Sequence, residues 1–132
     1  MYLVTDGHKV VQQKKVEALG LSHLFKRIFI THRFGIRHAK PSLHCFEIVR
    51  KLERCAWSQL VYVGDNPAKD FVNLNRMEAL TVRVRTGSHA SVAASPEYDG
   101  RINVPDLANL NVVLDEWKRV TQDNKQNFPV AM

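Results

Sequence analysis

Four short apolar runs punctuate the chain, at residues 2–5 (YLVT), 28–30 (IFI), 60–63 (LVYV) and 80–84 (LTVRV), and each gives way to polar or glycine-containing residues. Runs of this length bounded by turn residues read as strands. Between them the period changes. Residues 9 to 19 read as a helix that stops at Gly20, a residue suited to the left-handed closure of helices. After the polar, glycine-containing stretch from Thr31 to Lys40, Pro41 suits the first turn of a helix. Leu43, Phe46, Val49 and Leu52 recur along that helix at three-residue steps and predict one buried face. A further helix is expected from Ala68 to about Met77, followed by the 80–84 strand, and residues 88 to 100 read as loop. Arg101 to Val104 reads as a short fifth strand. The last helix, about Asp106 to Arg119, carries Leu107, Leu110, Leu114 and Trp117 on one stripe, with Asp106 placed to cap its exposed amides.

Strands alternating with helices imply crossover connections and a mainly parallel sheet covered on both faces. The expected fold class is therefore α/β, a Rossmann-like three-layer α/β/α core. Residues 1–121 form one unit, and residues 122–132 read as a polar, frayed tail. In such sheets ligands bind beyond the carboxyl ends of the strands, where Thr5, Lys40 and Asp65 would converge.

The composition of the 132 residues, 45% hydrophobic and 24% charged, fits one soluble domain. No apolar run approaches the roughly 18 to 20 residues needed to span a bilayer, and the N-terminus lacks the order of a secretory signal. Both point to a cytoplasmic protein without a membrane partner. The net charge of +6 is uneven: residues 1–54 hold 11 Lys/Arg against 4 Asp/Glu, and residues 55–132 hold 8 against 9. The basic half should attract anions, either a phosphate substrate or a nucleic acid backbone. The absence of interleaved basic and aromatic residues argues against nucleic acid. Cys45 and Cys55 read as packed thiols, and His8, His32, His38, His44 and His89 are scattered without metal-like spacing.

Candidate chemistry sits at the strand ends. The run Gly64-Asp65-Asn66-Pro67-Ala68-Lys69-Asp70 puts one carboxylate at a strand end and another five residues later, hard oxygen ligands suited to magnesium. Lys40 follows a glycine-containing loop and could hold an ammonium over a phosphate. Thr5, Asp6 and Gly7 offer a hydroxyl and backbone amides to an anion. Asp6 could alternatively be a nucleophile or a metal ligand.

Three segments in order, VTDG with the following QQKKVEALGL, then FGIRHAKPSLHCFE, then LVYVGDNPAKDF, resemble the haloacid-dehalogenase-like (HAD) hydrolases. The resemblance covers residues 2 to about 87, and residues 101–117 look similar to that family's closing strand and helix. It implies that Thr5 hydrogen-bonds a transferring phosphoryl group and that Lys40 neutralises its charge. Asp65 and Asp70 would serve a Mg2+ site, and the substrate would be a small phosphorylated metabolite. The family's first motif, DxD, supplies the nucleophile, and no DxD occurs in this sequence. The strand bearing that motif, central in the family's sheet, and the cap domain that selects substrate both read as missing. The expectation is a partial HAD-like core, a phosphatase-type site inactive alone, with a non-catalytic binding or assembly module as the alternative. Without the central strand, neighbouring strands must close the gap or seek a partner by dimerisation or strand exchange.

Overall fold

Alternation within the apolar runs decides the architecture, because successive side chains of a strand leave on opposite faces. In residues 61–63 the ring of Tyr62 joins one hydrophobic cluster while Val61 and Val63 join another. A strand buried on both faces belongs inside a layered parallel sheet. The computed structural model of the chain describes residues 1–121 and 130–132. Its elements are β1 (Tyr2–Thr5), α1 (Lys9–Ala18), β2 (Arg27–Ile30), α2 (His44–Glu53), β3 (Val61–Gly64), α3 (Val72–Arg76), β4 (Leu80–Val84), β5 (Ile102–Val104), α4 (Leu110–Thr121) and β6 (Val130–Ala131). The sheet order is β2-β1-β6-β3-β4-β5, with every pairing parallel. The α/β class expected from the sequence is the one observed.

Helix α2 covers one face, burying Cys45, Phe46 and Val49 against Tyr2, Phe29, Leu60 and Tyr62. Helix α4 covers the other, packing Leu110, Leu114 and Trp117 on Val61, Val63, Val82 and Val84. The buried stripe of α2 differs from the expected one, since Leu43 is half-buried and Leu52 is exposed. Helical geometry explains the difference. Leu43 and Leu52 are nine residues apart, which at ~3.6 residues per turn places them on opposite sides of the helix. The helix also begins at His44 rather than at Pro41. The Lys40-Pro41 bond is cis, and the chain makes a turn closed by Ser42 N donating to Ala39 O.

Helix α3 is shorter than expected, because residues 66–71 are held in a turn by the Asp70 carboxylate, as described below. Asp106 does cap, accepting the Asn109 amide at 3.1 Å, but it caps a 3-10 turn that precedes α4, and Leu107 in that turn is exposed. Both cysteines are buried free thiols. Burial pushes the Cys45 thiol up to about 11, which leaves it protonated and inert. Among the described residues no helix is long and apolar enough to cross a membrane.

The central gap anticipated from the missing strand is filled from within the chain. Of the expected frayed tail, residues 122–129 lie outside the described residues. The last three return to the sheet, where β6 lies between β1 and β3, with Ala131 opposite both Tyr2 and Tyr62. Val4 N donates to Met132 O at 2.7 Å and Met132 N donates to Tyr2 O at 3.0 Å. The Tyr2 carbonyl and the Val4 amide thus find partners in the last residue of the chain.

Arg83 stands on β4 with its side chain fully buried. Its guanidinium donates to Asp99 Oδ1 at 3.0 Å and to the carbonyls of His89 at 2.8 Å and Val92 at 2.7 Å. One cation thereby fixes the 88–100 loop beside the rim of the sheet. Removing one member of a buried charged pair strands the other. Arg83→Met is expected to lower stability by about 3 kcal/mol, measured as the shift in urea midpoint, and Arg83→Lys should not rescue it because an ammonium cannot reproduce the planar fork. A loss below about 1 kcal/mol would contradict this role.

Candidate functional site

Three loops meet beyond the carboxyl ends of β1, β2 and β3, and each contributes a polar group. The β1 loop is Thr5-Asp6-Gly7. Gly7 has φ +126°, and a Cβ there would lie 2.6 Å from Gln12 Nε2, so glycine lets the Gln12 side chain fold over the loop. The Thr5 hydroxyl donates to Gln12 Oε1 at 3.1 Å.

Asp6 ties the loops together. Its Oδ1 accepts from the Thr31 hydroxyl at 2.8 Å and from the Lys40 amide at 3.0 Å, and its Oδ2 pairs with Lys69 Nζ at 3.1 Å. Burial alone would raise its carboxyl pKa, but the hydrogen bonds from the Lys40 amide, Thr31 and Lys69 outweigh that and hold it below the usual carboxylate range. The nucleophile or metal-ligand role considered from the sequence is not what this arrangement favours, because both oxygens face protein donors. Asp6 acts here as an anionic brace.

Lys40 extends into the site with its ammonium donating to Asp70 Oδ1 at 2.6 Å and to the Tyr62 hydroxyl at 3.1 Å. The Asp70 side chain is only 1% exposed. Its Oδ1 accepts from Lys40 and, at 3.1 Å, from Tyr62; its Oδ2 accepts from the backbone amides of Asp65 at 3.1 Å and Asn66 at 2.8 Å. An ionised carboxylate offers about four acceptor sites, and four protein donors use them. A Cβ at Gly64 would stand 2.7 Å from Asp70 Oδ2, so this glycine lets the backbone close over the carboxylate. Asp70, expected from the sequence as half of a metal site, holds the 64–70 loop and the ammonium, and direct coordination would have to displace one of its donors.

Asp65 is different. Its side chain is 51% exposed, and Oδ2 lies 3.2 Å from His89 Nδ1. Magnesium is commonly held by one or two carboxylates together with waters and substrate phosphate oxygens, and Asp65 fits that description. Among the described residues no group of three or more His, Cys, Asp or Glu side chains gathers around a common point, so a cation here would draw its remaining ligands from water and substrate.

Of the sequence-predicted residues, Asp6, Lys40 and Asp70 share one network, Asp6 binding the Lys40 amide, Lys40 binding Asp70 and Asp70 binding the Asp65 amide, whereas the Thr5 hydroxyl bonds Gln12 and the Asp65 carboxylate pairs with His89. Sequence reasoning missed Tyr62, Lys69 and His89. Tyr62 carried one signal, a polar tip inside an otherwise apolar strand just before Gly64. His89 and Lys69 carried none, because their roles depend on loops folded against the rim.

The lowered pKa of Asp6 has a direction in stability. A carboxylate depressed in the folded state contributes fully above its unfolded value, near pH 4, and loses that contribution as pH falls through the lower folded value. Urea unfolding between pH 7 and pH 2 is expected to show parent stability falling through the acid range more steeply than Asp6→Asn stability. Parallel pH profiles would contradict the brace.

No family model matches the chain. Over 120 residues it is 33% identical to a glyceraldehyde 3-phosphate phosphatase of Methanopyrus kandleri, a match covering 91% of this chain and 50% of the relative. It is 27% identical over 121 residues to the protein of the same name in Methanocaldococcus jannaschii, covering 92% and 50%. The chain thus spans about half the length of the curated relatives it matches. Among solved structures, a HAD-hydrolase of Bacillus subtilis bound to magnesium superposes with a TM-score of 0.73 at 23% identity, covering 86% of this chain and 48% of that one. A 2-haloacid dehalogenase of Pseudomonas syringae gives 0.70 at 22% identity, covering 88% and 46%. The parallel sheet and these likenesses show a haloacid-dehalogenase-like fold, over about half the length of the proteins the chain resembles.

Proposed function

We propose that the chain carries the phosphate-holding side of a magnesium-dependent phosphatase site for a small phosphorylated metabolite. The observation that carries this reading is the Lys40 ammonium, fixed by Asp70 and Tyr62 on the same rim as the Thr5-Asp6-Gly7 and 64–70 loops. Phosphoryl transfer depends mainly on positioning and on neutralising charge spread over the phosphoryl oxygens. Lys40 supplies a fixed positive charge, and Thr5 supplies a hydroxyl once it exchanges Gln12 for the ligand. Asp6 keeps the loops in register and Asp70 aims the ammonium. Asp65 would hold the cation, which when bound polarises the phosphate and offsets its charge. The two curated relatives are named for a three-carbon phosphate monoester, which supports a small substrate. Among the described residues no carboxylate of this rim is left to attack: the sequence has no DxD, Asp6 and Asp70 are both committed to protein donors, and Asp65 is the group assigned to the cation. The chain by itself is therefore a binding site without turnover.

That commitment of the carboxylates also favours a second reading, a non-catalytic anion-binding module. Magnesium separates the two. Under the phosphatase reading, calorimetric titration of the whole chain with inorganic phosphate is expected to show Mg2+ strengthening binding, and Asp65→Asn should abolish that gain. Binding indifferent to Mg2+ would favour the module. Under either reading Lys40→Met is expected to weaken phosphate binding about tenfold to a hundredfold, the worth of a hydrogen bond to a charged group; unchanged affinity would remove the basis of the proposal. Hydrolysis of p-nitrophenyl phosphate by this chain would show that an attacking group has been overlooked.

A further inference from the structure

We propose that Tyr62 is a positioning residue that aims the Lys40 ammonium, an inference that rests on the phosphate-site reading above and deepens it. Tyr62 lies on β3, two residues before Gly64, and is 1% exposed. Its ring is held by the core: it meets Phe46 edge to face at 4.9 Å between centroids and packs beside Phe71. The hydroxyl therefore reaches the rim from beneath, carried by a strand rather than by a loop.

The chemistry of the three partners fixes which way each proton points. An ammonium can only donate, an ionised carboxylate can only accept, and a phenol can do each. The Tyr62 O–H must therefore donate to Asp70 Oδ1, 3.1 Å away, while its oxygen accepts from Lys40 Nζ, also at 3.1 Å. Burial and the neighbouring Asp70 carboxylate push the phenol well above its usual value and keep that proton in place. Lys40 thus spends two of its three N–H bonds on Asp70 and Tyr62. Two anchors at defined positions set the direction of the third N–H, which remains for an anion. With Asp70 as sole anchor the ammonium, on its flexible four-carbon stem, could rotate about one contact and lose that aim.

Tyr62→Phe deletes the hydroxyl and keeps the ring that packs on Phe46. Two readouts on the full chain separate this inference from the functional reading. In lysine-selective 1H–15N NMR, the Lys40 ammonium resonance is expected to be narrow in the parent and broadened in Tyr62→Phe. In phosphate titration with Mg2+ present, affinity is expected to fall about fivefold to tenfold in Tyr62→Phe, and to change no further when the same substitution is added to Lys40→Met. A Lys40 resonance equally narrow in the variant overturns the inference whatever happens to phosphate, as does an equal loss in the Lys40→Met background. A parent that binds no phosphate, yet shows the resonance change, overturns the functional reading and leaves the positioning role supported. Should Tyr62→Phe fail to fold, the parent provides the test: a slowly exchanging Tyr62 hydroxyl proton with an Overhauser contact to the Lys40 ε-methylene supports the inference, and the lack of that contact overturns it.

Discussion

The rim of this molecule is organised by one buried carboxylate. Asp70 sits under the 64–70 loop with all of its acceptor capacity used by the Asp65 and Asn66 amides, the Tyr62 hydroxyl and the Lys40 ammonium. An unpaired carboxylate at that depth would be expensive. Each of its four donors is therefore under strong constraint, and each belongs to a segment that defines the site. The glycine before the loop follows from the same demand, since a side chain at residue 64 would occupy the space of the Asp70 oxygen. The positive charge of Lys40 is held in place rather than left on a mobile stem. Preorganisation of this kind is what a site needs in order to bind a phosphate without reorganising at each encounter.

A second carboxylate, Asp6, braces a different set of segments. It draws together the end of β1, the residue after β2, the Lys40 backbone and Lys69. Asp70 sets the direction of the ammonium, and Asp6 sets the relative height of the loops. Between them they leave Asp65 as the exposed carboxylate of the 64–70 loop, where the proposed cation would bind. The sheet beneath supports this division. Pairing of β1 with β2 and of β3 with β4 is in register over four residues each, so the two parts that carry the loops are internally well paired. The two-residue β6 joins them at the centre.

Much of this could be read along the chain, for reasons that differ by element. β1 and β3 were legible because short apolar runs ending in Asp-Gly or Gly-Asp have few other readings. Thr5, Lys40 and Asp65 were legible because strand ends of a parallel sheet share one rim. The buried stripe of α2 was misplaced because a strict three-residue step drifts around a helix, carrying Leu52 into solvent. The extent of α3 was misjudged because the Asp70 carboxylate reaches back to the Asp65 and Asn66 amides and holds the intervening residues as a loop. The metal role expected of Asp70 followed from spacing and from the family resemblance, neither of which shows that four protein donors surround the group. Tyr62 and His89 escaped notice because their partners are 8 and 24 residues away. The return of residues 130–132 to the middle of the sheet was missed because the polar 122–127 stretch set the reading of the whole tail, although its last residues, FPVAM, are apolar.

The account stands on the convergence of three loops around one anion. Its most direct test is an amide chemical-shift map of the intact chain during titration with inorganic phosphate and Mg2+. The predicted result is a single cluster of shifts at Thr5 to Gly7, Lys40 and Asp65 to Lys69, saturating with one dissociation constant. Shifts scattered over the basic surface of residues 9–37 with the rim unchanged would contradict it.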